Sequence, residues 1–110
     1  MASQLDDAIL VMTSCPSQQV GLDIGRRLVT DGLAACVQLG SPSVSLYRWQ
    51  GKLCEDTEFP LFIKTRQARY SEVEQAILAQ HPYELPEIIA LPISHALPGY
   101  LNWIKDNTEL

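Results

Sequence analysis

The chain predicts an α+β domain of the split βαβ, ferredoxin-like kind, and three observations predict it. Strand-length apolar runs alternate with amphipathic helical stretches in the order β-α-β-β-α-β, which is the signature of that sandwich. The two middle strands are joined by a bare turn signal, Gln50-Gly51-Lys52, as in a hairpin of an antiparallel sheet. A short amphipathic helix closes the pattern after Pro98. At 110 residues, 46% hydrophobic and 19% charged, the chain makes one ordinary globular domain with a core of its own.

The elements follow in order. Residues 1–7 carry no periodic signal and are read as a flexible N-terminus, with 8–110 as the single domain. Ala8-Ile9-Leu10-Val11-Met12-Thr13 is a continuous apolar run of strand length, the pattern of a strand buried on both faces. Pro16-Ser17 stops it, with Ser17 as N-cap of a helix whose stripe is Val20, Ile24 and Leu28 and whose C-terminal stop is Gly32. A second strand runs from Leu33 to Leu39, breaks at Gly40-Ser41-Pro42 and resumes from Val44 to Trp49. The third extends from about Cys54 to Arg66 with Pro60 inside it. Tyr70, Val73 and Ile77 mark a second helix ending near Gln80, and Glu87 to Ile93 forms the fourth strand. Tyr100, Trp103 and Ile104 share one face of the terminal helix.

Composition narrows function. A net charge of −5 gives no general attraction to nucleic acid, and Arg26-Arg27 is the only adjacent basic pair. No apolar run approaches the roughly 18 residues of a membrane span. The N-terminus has neither a basic region nor an apolar stretch before a cleavage site, so no signal peptide is read. Cys15, Cys36 and Cys54 are odd in number and lack a CxxC, which predicts reduced thiols and a cytoplasmic protein. There is no Gly-rich phosphate loop, GxSxG or HExxH, and no enzyme is predicted. An acylphosphatase's Arg loop and the stacking aromatics of an RNA-recognition module are also missing.

The segment with the densest chemistry is His81-Pro82-Tyr83-Glu84-Leu85-Pro86-Glu87. Each proline fixes its own φ and pushes the residue before it toward extended geometry, so the segment is a stiff connector and not a helix. It presents an imidazole, a phenol and two carboxylates, groups that bind metals or move protons; the plainer alternative is a proline-stiffened turn whose polar groups face water. We read the sheet order as 4-1-3-2 with the first and third strands parallel. That reading gathers Thr13 to Cys15, Lys64 and the connector at one edge, and sets Trp49 at the opposite edge. Lys64 is then either outward on its strand or paired with a carboxylate at that edge. The middle strands, about 40 Å long at roughly 3.3 Å per residue, overshoot a small sheet, and a partner subunit is the simplest cover. Trp49 and Trp103 are read as core or interface packing, Cys36 as a small buried apolar group, Cys54 and His95 as surface residues.

Four segments, Leu33-Ala34-Ala35-Cys36-Val37, Ser45-Leu46-Tyr47-Arg48-Trp49-Gln50-Gly51-Lys52-Leu53, Ile63-Lys64-Thr65 and His81 to Ile88, resemble in order and spacing the signature segments of the CutA divalent-cation-tolerance family. Tyr100-Leu101-Asn102-Trp103 is similar to its terminal helix, so the resemblance runs from about Ile9 to Ile104. It implies a ferredoxin-like homotrimer with hairpins pairing across subunits, a link to tolerance of divalent metals, copper foremost, no obligatory cofactor, and a fold shared with the PII signalling proteins. Copper-binding members carry a Cys where this chain has Thr13 and a His where it has Gln80, so only His81 of the His pair remains. Cys15, two residues on, lies on the same strand face as Thr13. With Cys15 substituting for the missing Cys, His81, Glu84 and Cys15 are read as metal ligands, and the strand ends that meet at this edge place them in a cleft with Thr13, Lys64, Tyr83, Glu87 and Trp103. Tyr47 and Trp49 are expected to reach that cleft from a neighbouring subunit. One His with two Glu suits a harder, weaker divalent site than Cu(I) requires. The alternative is a PII-like trimeric small-ligand module with no physiological metal.

Overall fold

The structure, a computed structural model, describes residues 7–109, so the expected flexible N-terminus lies almost wholly outside the described residues. The elements are β1 (Ala8–Cys15), α1 (Gln18–Thr30), β2 (Cys36–Leu39), β3 (Ser43–Trp49), β4 (Lys52–Arg66), α2 (Tyr70–Gln80), β5 (Ile88–Pro92) and α3 (Pro98–Asp106). One antiparallel sheet has the order β2-β4-β1-β5, with β3 pairing further along β4. The α+β split βαβ architecture expected from the sequence is the one observed.

Local chemistry accounts for the boundaries. The Ser17 hydroxyl accepts the Val20 N–H at 3.2 Å and so satisfies one of the first-turn donors of α1. At the other end Gly32, at φ +71°, reverses the chain, and the N–H groups of Leu33 and Ala34 both donate to the Leu28 carbonyl. Leu33 and Ala34 therefore belong to the helix cap, and β2 starts at Cys36 instead of Leu33. Cys36 pairs with Lys64 and is half-buried, not the enclosed core group expected. Between β3 and β4 the turn residues Gln50 and Gly51 both have positive φ, 51° and 79°, as a two-residue type I′ hairpin requires.

Ile9, Val11, Ile24, Leu28, Leu61, Ile63, Val73 and Ile77 form the core between the sheet and helices α1 and α2. Helix α1 lies close to β2 because Gly21 and Gly25 face it: a Cβ on Gly21 would stand 2.9 Å from Leu39 Cδ1. A smaller cluster of Ala8, Ala35 and Ile104 seats α3. Beyond α3 the Thr108 carbonyl accepts from both Arg66 and Arg69 and ties the end of the chain to β4.

Two features of the sheet position everything that follows. First, β1 and β4 are antiparallel, with Ala8 opposite Arg66 and Cys15 opposite Phe59, which corrects the expected parallel pairing of the first and third strands. The crossover through α1 makes β2 and β1 co-directional, and the β3–β4 hairpin then reverses the chain. Second, the ladder slips by one residue where β2 gives way to β3. Leu39 pairs with Leu61 but Ser43 pairs with Glu58, so three residues, Gly40, Ser41 and Pro42, stand against two, Phe59 and Pro60. The extra residue is a bulge, and it falls at Pro60, which has no N–H to offer a ladder partner. A one-residue slip moves every following side chain to the other face. Val37 and Leu39 face the helices, whereas Ser45, Tyr47 and Trp49 share the opposite face with Asp56 and Glu58.

Candidate functional site

The connector is fixed from its first residue. His81 caps α2 through its N–H, bonded to the Ile77 carbonyl at 2.8 Å, and takes the extended backbone (φ −78°, ψ 132°) that Pro82 imposes. Its Nε2 lies 2.7 Å from the Ser14 carbonyl oxygen, and its Nδ1 accepts the Tyr83 N–H at 3.2 Å. A carbonyl needs a donor and an N–H needs an acceptor, so the hydrogen bonds assign the neutral ring with its proton on Nε2. The buried imidazole also meets the Tyr83 ring at 4.7 Å between centroids. His81 thus rivets the connector to the end of β1 with both nitrogens engaged.

Above that rivet lies an open cleft of about 790 Å³, walled by Ser14, by residues 45–47 and 49 of β3, by Glu58 and by residues 82–87 of the connector. Antiparallel pairing explains the meeting. The half of β4 that runs past Cys15 extends toward the same end of the sheet where β5 begins, so the hairpin carries Tyr47 and Trp49 to the connector. The Tyr83 hydroxyl donates to Glu58 Oε2 at 3.0 Å, and the Tyr47 hydroxyl donates to Asp56. Among the described residues the lining holds three carboxylates, Glu58, Glu84 and Glu87, and no Lys, Arg or His. Lys52 stands opposite Trp49 at the hairpin tip, outside the lining.

These contacts shift the acids upward. Burial, then the hydrogen bond to Glu58, pushes the Tyr83 phenol up to about 12, and the bond to Asp56 holds Tyr47 above the ordinary phenol range. Burial, followed by the Glu58 carboxylate, pushes the Cys15 thiol up to about 11. An acid whose pKa is raised by folding adds stability that is whole below its ordinary pKa and is lost as pH climbs through the folded value. The denaturation midpoint is therefore expected to fall between pH about 9 and about 12. Tyr83→Phe should flatten the upper part of that fall, and an unchanged profile in Tyr83→Phe would contradict the assignment.

Of the residues expected at the site, Tyr47, Trp49, Tyr83, Glu84 and Glu87 line one cavity. Within one chain Tyr47 and Trp49 already stand at the connector's end of the sheet and not at the opposite edge, because that edge was misassigned along with the direction of β4. Lys64 does not join them. It pairs with Leu10, six residues beyond Glu58 or about 20 Å along β4, and its Nζ donates to the Tyr100 hydroxyl at 3.4 Å. Thr13 and Cys15 face the helices, both buried, and the Thr13 hydroxyl has no partner among the described residues. Trp103 stacks on Tyr100 at 5.4 Å on α3 and also lies off the lining. The trio His81, Glu84 and Cys15 is not gathered, and among the described residues no three His, Cys, Asp or Glu groups come together as metal ligands.

Sequence reasoning missed Glu58 and Asp56. The signal was present: Cys54, Asp56 and Glu58 alternate with the inward Leu61, Ile63 and Thr65 along β4, and the bulge opposite Pro60 then turns Tyr47 and Trp49 to that same outer face.

Comparison with known proteins agrees with this architecture. The family model described as CutA1 divalent ion tolerance protein matches residues 9–107. The divalent-cation tolerance protein CutA of Thermus thermophilus is 40% identical over 90% of this chain and 96% of its own length. A CutA homolog of Xenopus laevis is 46% identical over 84% of this chain, which spans 62% of that protein. Among solved structures, CutA from Xylella fastidiosa superposes with a TM-score of 0.91 at 41% identity, covering 94% of this chain and 99% of that one. A CutA from Archaeoglobus fulgidus, described as a periplasmic divalent cation tolerance protein, gives 0.90 at 35% identity over 93% and 99% of the two chains. With its sheet, its hairpin and nearly its whole length matched, the chain belongs to the CutA1 divalent ion tolerance family.

Proposed function

We propose that the protein serves divalent-cation tolerance as a cytoplasmic homotrimer whose acidic cleft takes divalent cations, copper among them, weakly. The observation that carries this reading is the lining itself: among the described residues, three carboxylates and two phenols with no basic side chain between them. Oxygen ligands suit hard cations, and the engaged imidazole of His81 and the protonated, buried thiol of Cys15 offer little to soft copper. An affinity of micromolar or weaker, roughly 8 kcal/mol or less, is expected. The fully bonded His81 favours a second reading, a trimeric small-ligand module with no physiological metal.

The hairpin supports the trimer. Val44, Leu46 and Leu53 are exposed to 66%, 64% and 80% on a two-stranded ribbon, too much apolar surface for an isolated hairpin to leave uncovered. Light scattering coupled to gel filtration should give three times the chain mass, and a monomer at micromolar concentration would remove the assembly. Three free cysteines support a reducing compartment, and no helix among the described residues is long and apolar enough to cross a membrane.

Isothermal titration with Cu(II) and Zn(II) tests the cation reading. Glu84→Gln combined with Glu87→Gln should weaken binding about tenfold, or 1.4 kcal/mol. Metal binding untouched by that pair would place the ions elsewhere.

A further inference from the structure

The cleft is more than an acidic patch, and its remaining walls limit what it can hold. A divalent ion gains nothing from aromatic rings, and among the described residues no three His, Cys, Asp or Glu groups converge on one, so a metal bound by these carboxylates is held weakly and leaves the aromatic walls unused. The cleft, about 790 Å³ and open on one side, has room for a small molecule. Trp49, Tyr47 and Tyr83 add π faces, and Pro82, Leu85 and Pro86 add apolar surface.

The hydroxyl chemistry removes one class of ligand. Both phenol protons are already donated, Tyr83 to Glu58 and Tyr47 to Asp56, so neither phenol is left to donate to an anion. A phosphate or carboxylate ligand would meet Glu58, Glu84 and Glu87, with no lysine or arginine among the described residues of the lining to offset them. A phenol that donates to a carboxylate also keeps its ring electron-rich and fixed in place, which strengthens attraction of a cation to its face.

We propose that the cleft between the β3–β4 hairpin and the 82–87 connector binds a small organic cation, an alkylammonium whose charge faces Glu58, Glu84 and Glu87 and whose carbon body lies against Trp49 and the tyrosines. The proposal rests on the reading of this cleft as a cation site and names the class of cation that uses all of its walls. A quaternary ammonium suits it because it is weakly hydrated and gains from aromatic faces, unlike a hydrated metal ion.

The test titrates the full chain with choline and with its neutral isostere, in which carbon replaces nitrogen, following Trp49 emission in a Trp103→Phe background and heat by calorimetry. Choline should bind and the isostere should bind about tenfold more weakly or not at all. Trp49→Ala and, separately, Glu84→Gln should each weaken choline by about tenfold in the calorimeter, while Trp103→Ala should leave it unchanged. Glu84→Gln keeps the size and shape of its side chain, so it reports even where Trp49→Ala disturbs the hairpin. Equal binding of choline and the isostere, or no binding of choline, overturns the proposal. Should Cu(II) then still bind in a carboxylate-dependent way, the cation reading of the cleft stands and only the organic ligand falls; should neither bind, both fall.

Discussion

Replacing Ile63 with alanine is expected to cost about 2–5 kcal/mol of unfolding free energy. Ile63 is fully buried at the centre of the sheet, paired with Val11 on one side and Val37 on the other, and it faces the helices. The pleat holds its neighbours in place, so the deleted methyl groups leave a cavity that the sheet cannot close. Urea unfolding of Ile63→Ala beside the parent protein measures this directly. A loss below about 1 kcal/mol would mean that the core relaxes around the site.

The second large effect belongs to His81. Its ring satisfies the Ser14 carbonyl and the Tyr83 N–H at once, and alanine would leave both without it. Both bonds are part-buried, so leaving their partners orphaned costs about 1 kcal/mol, and the loss also frees the connector that carries Tyr83, Glu84 and Glu87. His81→Ala should therefore lower the unfolding midpoint and speed amide exchange at Tyr83. A direct metal ligand would behave differently: the metal-free protein would keep its stability, and only binding would suffer. Unaltered stability with lost metal binding would contradict the clamp.

Much of the fold could be read from residues alone because the signals were local. Ser17, Gly32, Pro98 and the Gln50-Gly51 turn each act within a few residues of themselves, and each does in the structure what its chemistry predicts. The apolar runs likewise located β1, the two longer helices and β5. Strand direction and face are not local properties. Whether β4 runs with or against β1 depends on the crossover and the hairpin together, and reading it as parallel misplaced Lys64 and Trp49 in opposite senses. The bulge is subtler still: one extra residue between Leu39 and Ser43 decides that Tyr47 and Trp49 look toward the connector instead of the helices. Hence the connector's own residues, Tyr83, Glu84 and Glu87, were legible as a group, whereas Asp56 and Glu58, brought in by register, were not.

Partnership also separates a motif from its role. His81 and Cys15 have the residue types of metal ligands, yet one is engaged at both ring nitrogens and the other is a thiol buried in the core. Neither state can be read from residue type.

Cations are expected to enter the cleft between the hairpin and the connector, and the two tryptophans allow this to be tested in place. Trp49 lines the cleft, whereas Trp103 stands on α3 against Tyr100. Cu(II) is a contact quencher, so a Trp103→Phe protein reports on the cleft and a Trp49→Phe protein reports on α3. Saturable quenching of Trp103→Phe, weakened by Glu84→Gln with Glu87→Gln, and flat emission from Trp49→Phe are the predicted results. Saturable quenching of Trp49→Phe with unchanged emission from Trp103→Phe would contradict the claim.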